Sequence, residues 1–195
     1  MKLLWIFIFL LLITGIFIFL RSENYDVVYV KSDIDGQNYL VRDIEDKQHA
    51  ANLLATIRQN IVTLSNHLYK FKDTKYVQYK TYIVQLNDKI QNMIIMESSK
   101  DNIYTSYSVN KGEQIVFCLR SRKIKDSIHK LNLLMYVVLH EISHVACPEY
   151  GHTPLFKKIF SFITLVAIEI GLYTRIDFVK HSEEYCGLTI TDSII

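Results

Sequence analysis

The apolar positions of this chain form one continuous run at the start and regularly spaced patterns after it. Every residue from Leu3 to Leu20 is apolar apart from Thr14 and Gly15, which is about the length of a helix that crosses a bilayer. The run is longer than the apolar core of a typical cleaved signal peptide, and no small-residue cleavage site follows it. We therefore predict an uncleaved transmembrane anchor over residues 1–21 and a single-pass membrane protein. Basic residues on both sides of the run leave its orientation open.

Short segments rich in β-branched and aromatic residues predict two β-hairpins. The first has Asp35-Gly36 in its turn, a pair that favours a tight hairpin connection, and the second turns through residues 110–113. The expected strands are residues 25–30 with 39–41, and residues 105–109 with 114–119.

Apolar residues at steps of three and four predict four helices after the anchor. We expect the first two at about residues 45–70 and 76–96, packed as a pair. The third begins near Asp126 or Asn132, either of which suits a helix start, and ends at Ala146 before Pro148. The fourth runs from Pro154 to about Gly171. Charged and polar residues interrupt it too often for a second membrane span, so we assign it to the core.

Length and composition indicate an anchor plus one domain of ordinary size over residues 22–195. The chain has 195 residues, a net charge of +2 and a charged fraction of 22%, so its charge does not identify a ligand. The three cysteines are widely spaced and include no C-x-x-C pair, which argues against a disulfide framework or a cysteine-based zinc site. Unpaired thiols are the simpler interpretation, although one disulfide with a spare thiol stays open.

The third predicted helix carries His140-Glu141-Ile142-Ser143-His144, an H-E-x-x-H motif. Residues four apart lie on one helix face, so His140 and His144 present two imidazoles to one point, as a tetrahedral zinc ion requires. Glu141 projects beside that face, where it can act as general base on a metal-activated water. The alternative is a buried helix that carries these polar residues by chance, at an energetic cost.

A third ligand is expected from the segment after the helix. Gly151 permits a sharp turn, and Thr153 with Pro154 suits the start of the next helix, so His152 lies in a turn that can fold back to the metal. Glu169 is the rival third ligand. Tyr150 and Tyr185 are candidates for an oxyanion donor or for packing, and Cys147 is expected to be an inert thiol.

The string HEISH, then Tyr150-Gly151-His152, then Phe156, resembles the WLM and SprT-like (Spartan-related) metallopeptidases. The wider stretch from residue 110 to Tyr185-Cys186-Gly187 is similar to a WLM-like branch found in large DNA viruses and algae. The gap to the third histidine is longer here than in the usual WLM pattern. The resemblance implies an α+β fold, a minimal zincin-like domain with β-hairpins, in which His140, His144 and His152 bind zinc and Glu141 is the catalytic acid and base.

The sequence thus predicts a membrane-anchored zinc metallopeptidase that acts on protein or peptide substrates. A non-catalytic, membrane-anchored binding or structural protein is the first alternative. A protease acting on DNA–protein crosslinks, as WLM and SprT-like relatives are associated with, is the second. The near-neutral charge and the anchor disfavour a nucleic-acid partner without excluding one, and the sequence leaves the oligomeric state open.

Overall fold

The computed structural model describes Thr14 and residues 26–195, and these form a mixed α+β domain. Apart from Thr14, the predicted anchor over residues 1–21 lies outside the described residues. Within the described part of the chain, no helix has both the length and the apolar character that crossing a membrane requires. The strands are β1 (Val27–Lys31), β2 (Asn38–Arg42), β3 (Ile94–Glu97), β4 (Ser106–Val109), β5 (Gln114–Phe117), β6 (Glu183–Tyr185) and β7 (Leu188–Ile190). The helices of more than one turn are α1 (Lys47–Lys70), α2 (Lys80–Ile90), α3 (Leu131–Ala146) and α4 (Pro154–Glu169).

The strands of the described residues form three small sheets. β1 pairs antiparallel with β2, and β6 with β7, so each of these sheets is a hairpin. The third sheet has the order β3-β5-β4, with β3 parallel and β4 antiparallel to β5. This order places β4 at an edge, and β4 packs against α3.

Helix α1 lies in the core and buries its apolar face against several other elements. It packs against α2, α3 and β2, as its three- and four-residue apolar spacing predicts. Burying these side chains contributes about 1.5–3 kcal/mol each relative to exposure. The members of this face, all buried, are Leu53, Leu54, Ile57, Ile61, Leu64 and Leu68.

The prediction of one helix over residues 76–96 was wrong over its last six residues. A short 3₁₀ turn precedes α2, which ends at Ile90, and the chain then enters β3. Ile94 and Ile95 pair in parallel with β5, and Ile95 becomes buried. Their β-branched side chains suit a strand, and the pairing partner lies about 20 residues downstream, so the helical spacing of residues 83–94 misled the interpretation.

Helix α3 begins at Leu131, with Lys130 at the N-cap position and no side-chain cap. Neither Asp126 nor Asn132 caps it, contrary to the prediction. Asp126 instead has a left-handed backbone (φ 60°) and pairs with Arg42. Asn132 lies inside the first turn, where its side chain exchanges two hydrogen bonds with the backbone of Thr174.

Candidate metal centre

The first half of the site is built by helix α3 alone. Its residues from Leu133 to Ala146 are buried except His140 and His144, which are half-buried. The helix is therefore held by neighbours on nearly all sides, and over this range its two histidines are the residues that solvent reaches. The Ser143 hydroxyl donates to the Leu139 carbonyl at 2.6 Å, so this polar residue of the motif is satisfied inside the helix.

The turn after α3 brings the third histidine to the same point. Gly151 has a left-handed backbone (φ 77°), a conformation that glycine adopts without a steric penalty. Thr153 then starts α4: its side-chain oxygen accepts a hydrogen bond from the Phe156 N–H, and Pro154 occupies the first turn. His152 is exposed in this turn, between the two helices.

The Nε2 atoms of the three histidines form a nearly equilateral triangle. The separations are 3.1 Å between His140 and His144, 3.2 Å between His144 and His152, and 3.0 Å between His152 and His140. Tetrahedral zinc with Zn–N distances of about 2.0–2.1 Å requires nitrogen atoms about 3.3 Å apart. Among the described residues these three form the group arranged to share one ion. The donor set and its spacing therefore fit zinc.

Burial keeps the helix histidines neutral, which is the form that binds a metal. Desolvation, with the charges of the other two histidines, lowers the pKa of His140 to about 3. Desolvation, with the charges of His152 and Lys111, lowers the pKa of His144 to about 4. The Phe156 ring stacks on His144 with centroids 4.0 Å apart and also lies 5.1 Å from His140. Phe156 thus forms an apolar wall behind the two helix histidines.

Glu141 is buried beside the histidines, with 6% of its surface exposed. Desolvation raises its pKa to about 7, close to the value that suits a general base at neutral pH. Glu141 lines the same cleft as the three histidines, a space of about 440 Å³. A carboxylate with this environment can accept a proton from water held at the histidine cluster.

Edge strand β4 forms the opposite wall of that cleft. Ser106, Tyr107 and Ser108 line it, and of the strands in the described part of the chain only β5 pairs with β4, which leaves the other edge of β4 free. The Ser106 hydroxyl is hydrogen-bonded to the phenol of Tyr185. Unpaired backbone groups on an edge strand are a ready template for an extended peptide.

The other predicted candidates have different surroundings. Glu169 ends α4 and pairs with Lys75, so the structure brings His152, and not Glu169, to the helix histidines. Tyr150 is 83% exposed at the rim of the cleft. Tyr185 is buried, and desolvation together with the nearby Glu141 charge raises its pKa. Cys147 is a buried free thiol.

Two features of the structure, one of them at the site, were not predicted from the sequence. Cys118 and Cys186 form a disulfide across 68 residues, where unpaired thiols had been favoured. Lys111 lies at the cleft and contacts the loop that leads to His152. The widely separated cysteines gave no pairing signal, and Lys111 stood in a predicted hairpin turn, where a lysine is ordinarily a solvated residue.

Comparison with known proteins identifies relatives among large viruses. The uncharacterised protein R325 of Acanthamoeba polyphaga mimivirus is 43% identical over 180 residues, which are 92% of this chain and 90% of R325. This chain belongs to the R325 family. Protein 136R of Invertebrate iridescent virus 6, also uncharacterised, is 41% identical over 83 residues, 42% of this chain and 44% of 136R. No protein-family model matches the chain.

Among solved structures, Wss1 from Saccharomyces cerevisiae resembles this member of the R325 family. The match has a TM-score of 0.44 at 18% identity and covers 65% of this chain and 84% of Wss1. A Wss1 mutant gives a TM-score of 0.46 at 19% identity, with 68% of this chain and 91% of the mutant covered.

Proposed function

We propose that this protein is a zinc-dependent peptidase in which His140, His144 and His152 hold the metal and Glu141 is the general base. The observation that carries the proposal is the triangle of Nε2 atoms 3.0–3.2 Å apart. Three neutral imidazoles and a free fourth position are the usual ligand set of a catalytic zinc site, whereas structural sites are closed by four protein ligands. The described residues supply three such ligands in one group, which favours catalysis over a purely structural metal.

Zinc and Glu141 have separate roles in the proposed reaction. When bound, zinc supplies Lewis acidity, which acidifies water and polarises the carbonyl of a peptide bond. Glu141 takes the proton from the attacking water as the new C–O bond forms. It then gives that proton to the departing nitrogen as the C–N bond breaks, so the products are a carboxylic acid and an amine. Its burial keeps the carboxyl near neutral pKa for both steps.

The substrate class that suits this cleft is a protein or peptide in extended form. The free edge of β4 can pair with a peptide backbone through main-chain hydrogen bonds, which bind any sequence. A peptide paired in this way would lie along Ser106 and Ser108, with its scissile bond next to the histidines. A small rigid substrate would leave these backbone groups of β4 unused.

The proposal includes the family and the location. We propose that the chain is a WLM-like peptidase, on the strength of its motif from HEISH to Phe156. We also propose that Leu3 to Leu20 anchors it in a membrane, because the run has the length and composition of a single span. Extraction of the expressed chain by detergent but not by alkaline carbonate would support the anchor, and its release by carbonate would contradict it.

The proposed activity is tested on the full-length chain purified in detergent. We expect about one zinc per chain by elemental analysis and hydrolysis of a library of fluorogenic peptides. Glu141→Gln should keep the zinc and lose activity by at least about 100-fold, the usual contribution of a positioned general base. His152→Ala should weaken zinc binding.

The outcomes separate the enzyme from the non-catalytic alternative. A wild-type chain that binds no zinc and cleaves none of the peptides would support a binding or structural protein. A Glu141→Gln chain as active as wild type would reject the assigned base while leaving the metal site intact. Zinc binding unchanged in His152→Ala would assign the third ligand position to another residue.

A further inference from the structure

The turn between β4 and β5 has an uncommon backbone. Asn110 (φ 48°), Lys111 (φ 55°) and Gly112 (φ 101°) are consecutive residues with left-handed conformations. Residues other than glycine rarely adopt this region, and they are held there only by surrounding contacts. Inside the turn, the Asn110 side chain donates to the Glu113 carboxylate, and the N–H groups of Gly112 and Glu113 donate to the Val109 carbonyl. Lys111 and Gly112 also contact the end of α3 and the loop after it.

Gly112 places the turn directly against α3. A Cβ atom on Gly112 would lie 2.8 Å from both Cγ atoms of Val145, closer than packed carbon atoms approach. Val145 is buried in the last turn of α3, immediately after His144. The absence of a side chain at residue 112 therefore lets the turn come close to the helix end and carry Lys111 beyond it.

The Lys111 ammonium fills its hydrogen-bonding capacity with three consecutive carbonyls. It donates to the carbonyls of Cys147 at 2.9 Å, Pro148 at 3.2 Å and Glu149 at 2.8 Å. An ammonium has three donors, so all three are used. Its nitrogen also lies 4.1 Å from the centre of the Tyr150 ring, a favourable cation–π distance. This cation is therefore committed to the loop and is not free to bind a substrate carboxylate.

The loop that Lys111 binds is the connection to the third histidine. Residues 147–151 lead from the end of α3 to His152, whose Nε2 lies within 3.2 Å of the other two. Both Pro148 and Glu149 are exposed, so little packing holds this segment. We propose that Lys111 is a positioning residue that fixes this loop and so holds His152 at the metal, an inference that rests on the proposed function.

Charge and helix geometry support the same role. The C-terminal end of a helix has unpaired carbonyls and a partial negative charge, both of which favour a cation. The Gln85 side chain donates to the Val145 carbonyl at 2.8 Å, one of the last carbonyls of α3. Lys111 binds carbonyls further along the chain, those of residues 147–149. Gln85 thus binds the end of the helix, whereas Lys111 binds the loop after it. Gln85 therefore provides a matched control for Lys111.

The test compares Lys111→Met with Gln85→Leu in the full-length protein. Residues that orient a metal ligand typically change metal affinity by 10–100-fold. We expect Lys111→Met to weaken zinc binding, measured by chelator competition, by about that factor and Gln85→Leu by less than about threefold. Because Lys111 acts through His152, the double variant Lys111→Met/His152→Ala should bind zinc no more weakly than His152→Ala alone.

A second readout requires no metal. In the zinc-free protein, amide hydrogen exchange over residues 147–153 should be about tenfold faster or more in Lys111→Met and unchanged in Gln85→Leu. Lys111→Arg keeps the charge but has a planar fork that cannot serve three converging carbonyls, so we expect an intermediate loss. Should Lys111→Met fail to fold, Lys111→Arg carries the comparison.

The outcomes distinguish this inference from the proposed function. Unchanged exchange and unchanged zinc affinity in Lys111→Met would overturn the positioning role even if the wild type is an active zinc peptidase. An equal effect in Gln85→Leu would also overturn it, because the helix end and not the loop would then be responsible. A wild type that binds no zinc, with a loop loosened only in Lys111→Met, would reject the peptidase and keep the role of Lys111 in holding the loop.

Discussion

The two sides of the candidate metal centre are constructed differently. His140, Glu141 and His144 lie within two turns of α3, a helix surrounded by packed neighbours. His152 is exposed and lies in a turn, and a lysine 41 positions earlier binds the loop before it. Helix periodicity alone fixes the spacing on the first side, whereas the second side depends on residues that are distant in the chain. Perturbations should therefore affect the two sides in different ways.

The largest effect is expected from the disulfide, which lies outside both sides and reaches the cleft only through its neighbour Tyr185. Cys118 and Cys186 are joined across 68 residues, and Cys186 directly follows Tyr185, whose phenol is bonded to Ser106 of β4. A crosslink that closes a loop of this length stabilises a protein by about 4 kcal/mol through the unfolded chain. Reduction should lower the free energy of unfolding by about that amount, measured by urea denaturation with and without a reducing agent.

The buried free thiol provides the control for reduction. Cys147→Ala removes a sulfur that forms no disulfide, so the loss on reduction should be the same in this variant as in the wild type. A Cys118→Ala/Cys186→Ala chain should have the stability of the reduced wild type and no response to the reducing agent. A wild type whose denaturation is unaffected by reduction would show that the crosslink is absent in solution.

The first side of the site could be predicted from the sequence because its information is local. The motif on α3 specifies two histidines on one face. On the second side only the local part, the turn and helix start that Gly151, Thr153 and Pro154 indicate, could be predicted in the same way. The expected boundaries of α1 and α4 also agree with the structure to within a few residues. Each of these features depends on residues within about two turns of one another.

What the sequence did not reveal depends on contacts between distant segments. β3 was assigned to a helix because its apolar residues continue the helical spacing before it. The parallel partner that makes it a strand, β5, follows 20 residues later. The pairing of Cys118 with Cys186 required the C-terminal hairpin to be placed beside β5. Lys111 has a role only because Gly112 meets Val145. A single sequence has no local pattern for such approaches, so they appeared only in the structure.

The second-largest effect is expected at Glu141, on the first side. It is a pH-dependent change in the free energy of unfolding of the metal-free protein. Burial raises the pKa of Glu141 from 4.5 to about 7, so the folded state favours its protonated form. The stabilisation from that proton is complete below about pH 4.5 and is lost as the pH rises through 7. Glu141→Gln cannot ionise, and it should therefore be more stable than wild type by about 3 kcal/mol at pH 8 and equally stable at pH 4.

This comparison is measured by urea denaturation of the zinc-free proteins across that pH range. Glu149→Gln makes the same chemical change at an exposed position on the second side of the site. Its effect should stay within about 0.5 kcal/mol at every pH. A Glu141→Gln profile parallel to that of the wild type would mean that the carboxyl is hydrated in the folded protein, and it would remove the argument for a tuned general base.

The smallest effect is expected at Thr153, and it tests whether His152 is held only by Lys111 through the preceding loop or also by the start of α4. Thr153 follows His152 and accepts a hydrogen bond from the Phe156 N–H at 3.2 Å, so Thr153→Ala removes the N-cap of α4. The cost should be about 1 kcal/mol, a decrease in melting temperature of about 2–4 °C for a chain of this size, and Thr153→Ser should restore it. Because Lys111 still binds the loop on the other side of His152, zinc affinity should fall by less than about tenfold, below the loss expected for a residue that orients a ligand. If Thr153→Ala weakens zinc as strongly as Lys111→Met does, then the start of α4 holds His152 as much as the lysine, and the second side of the site is local after all.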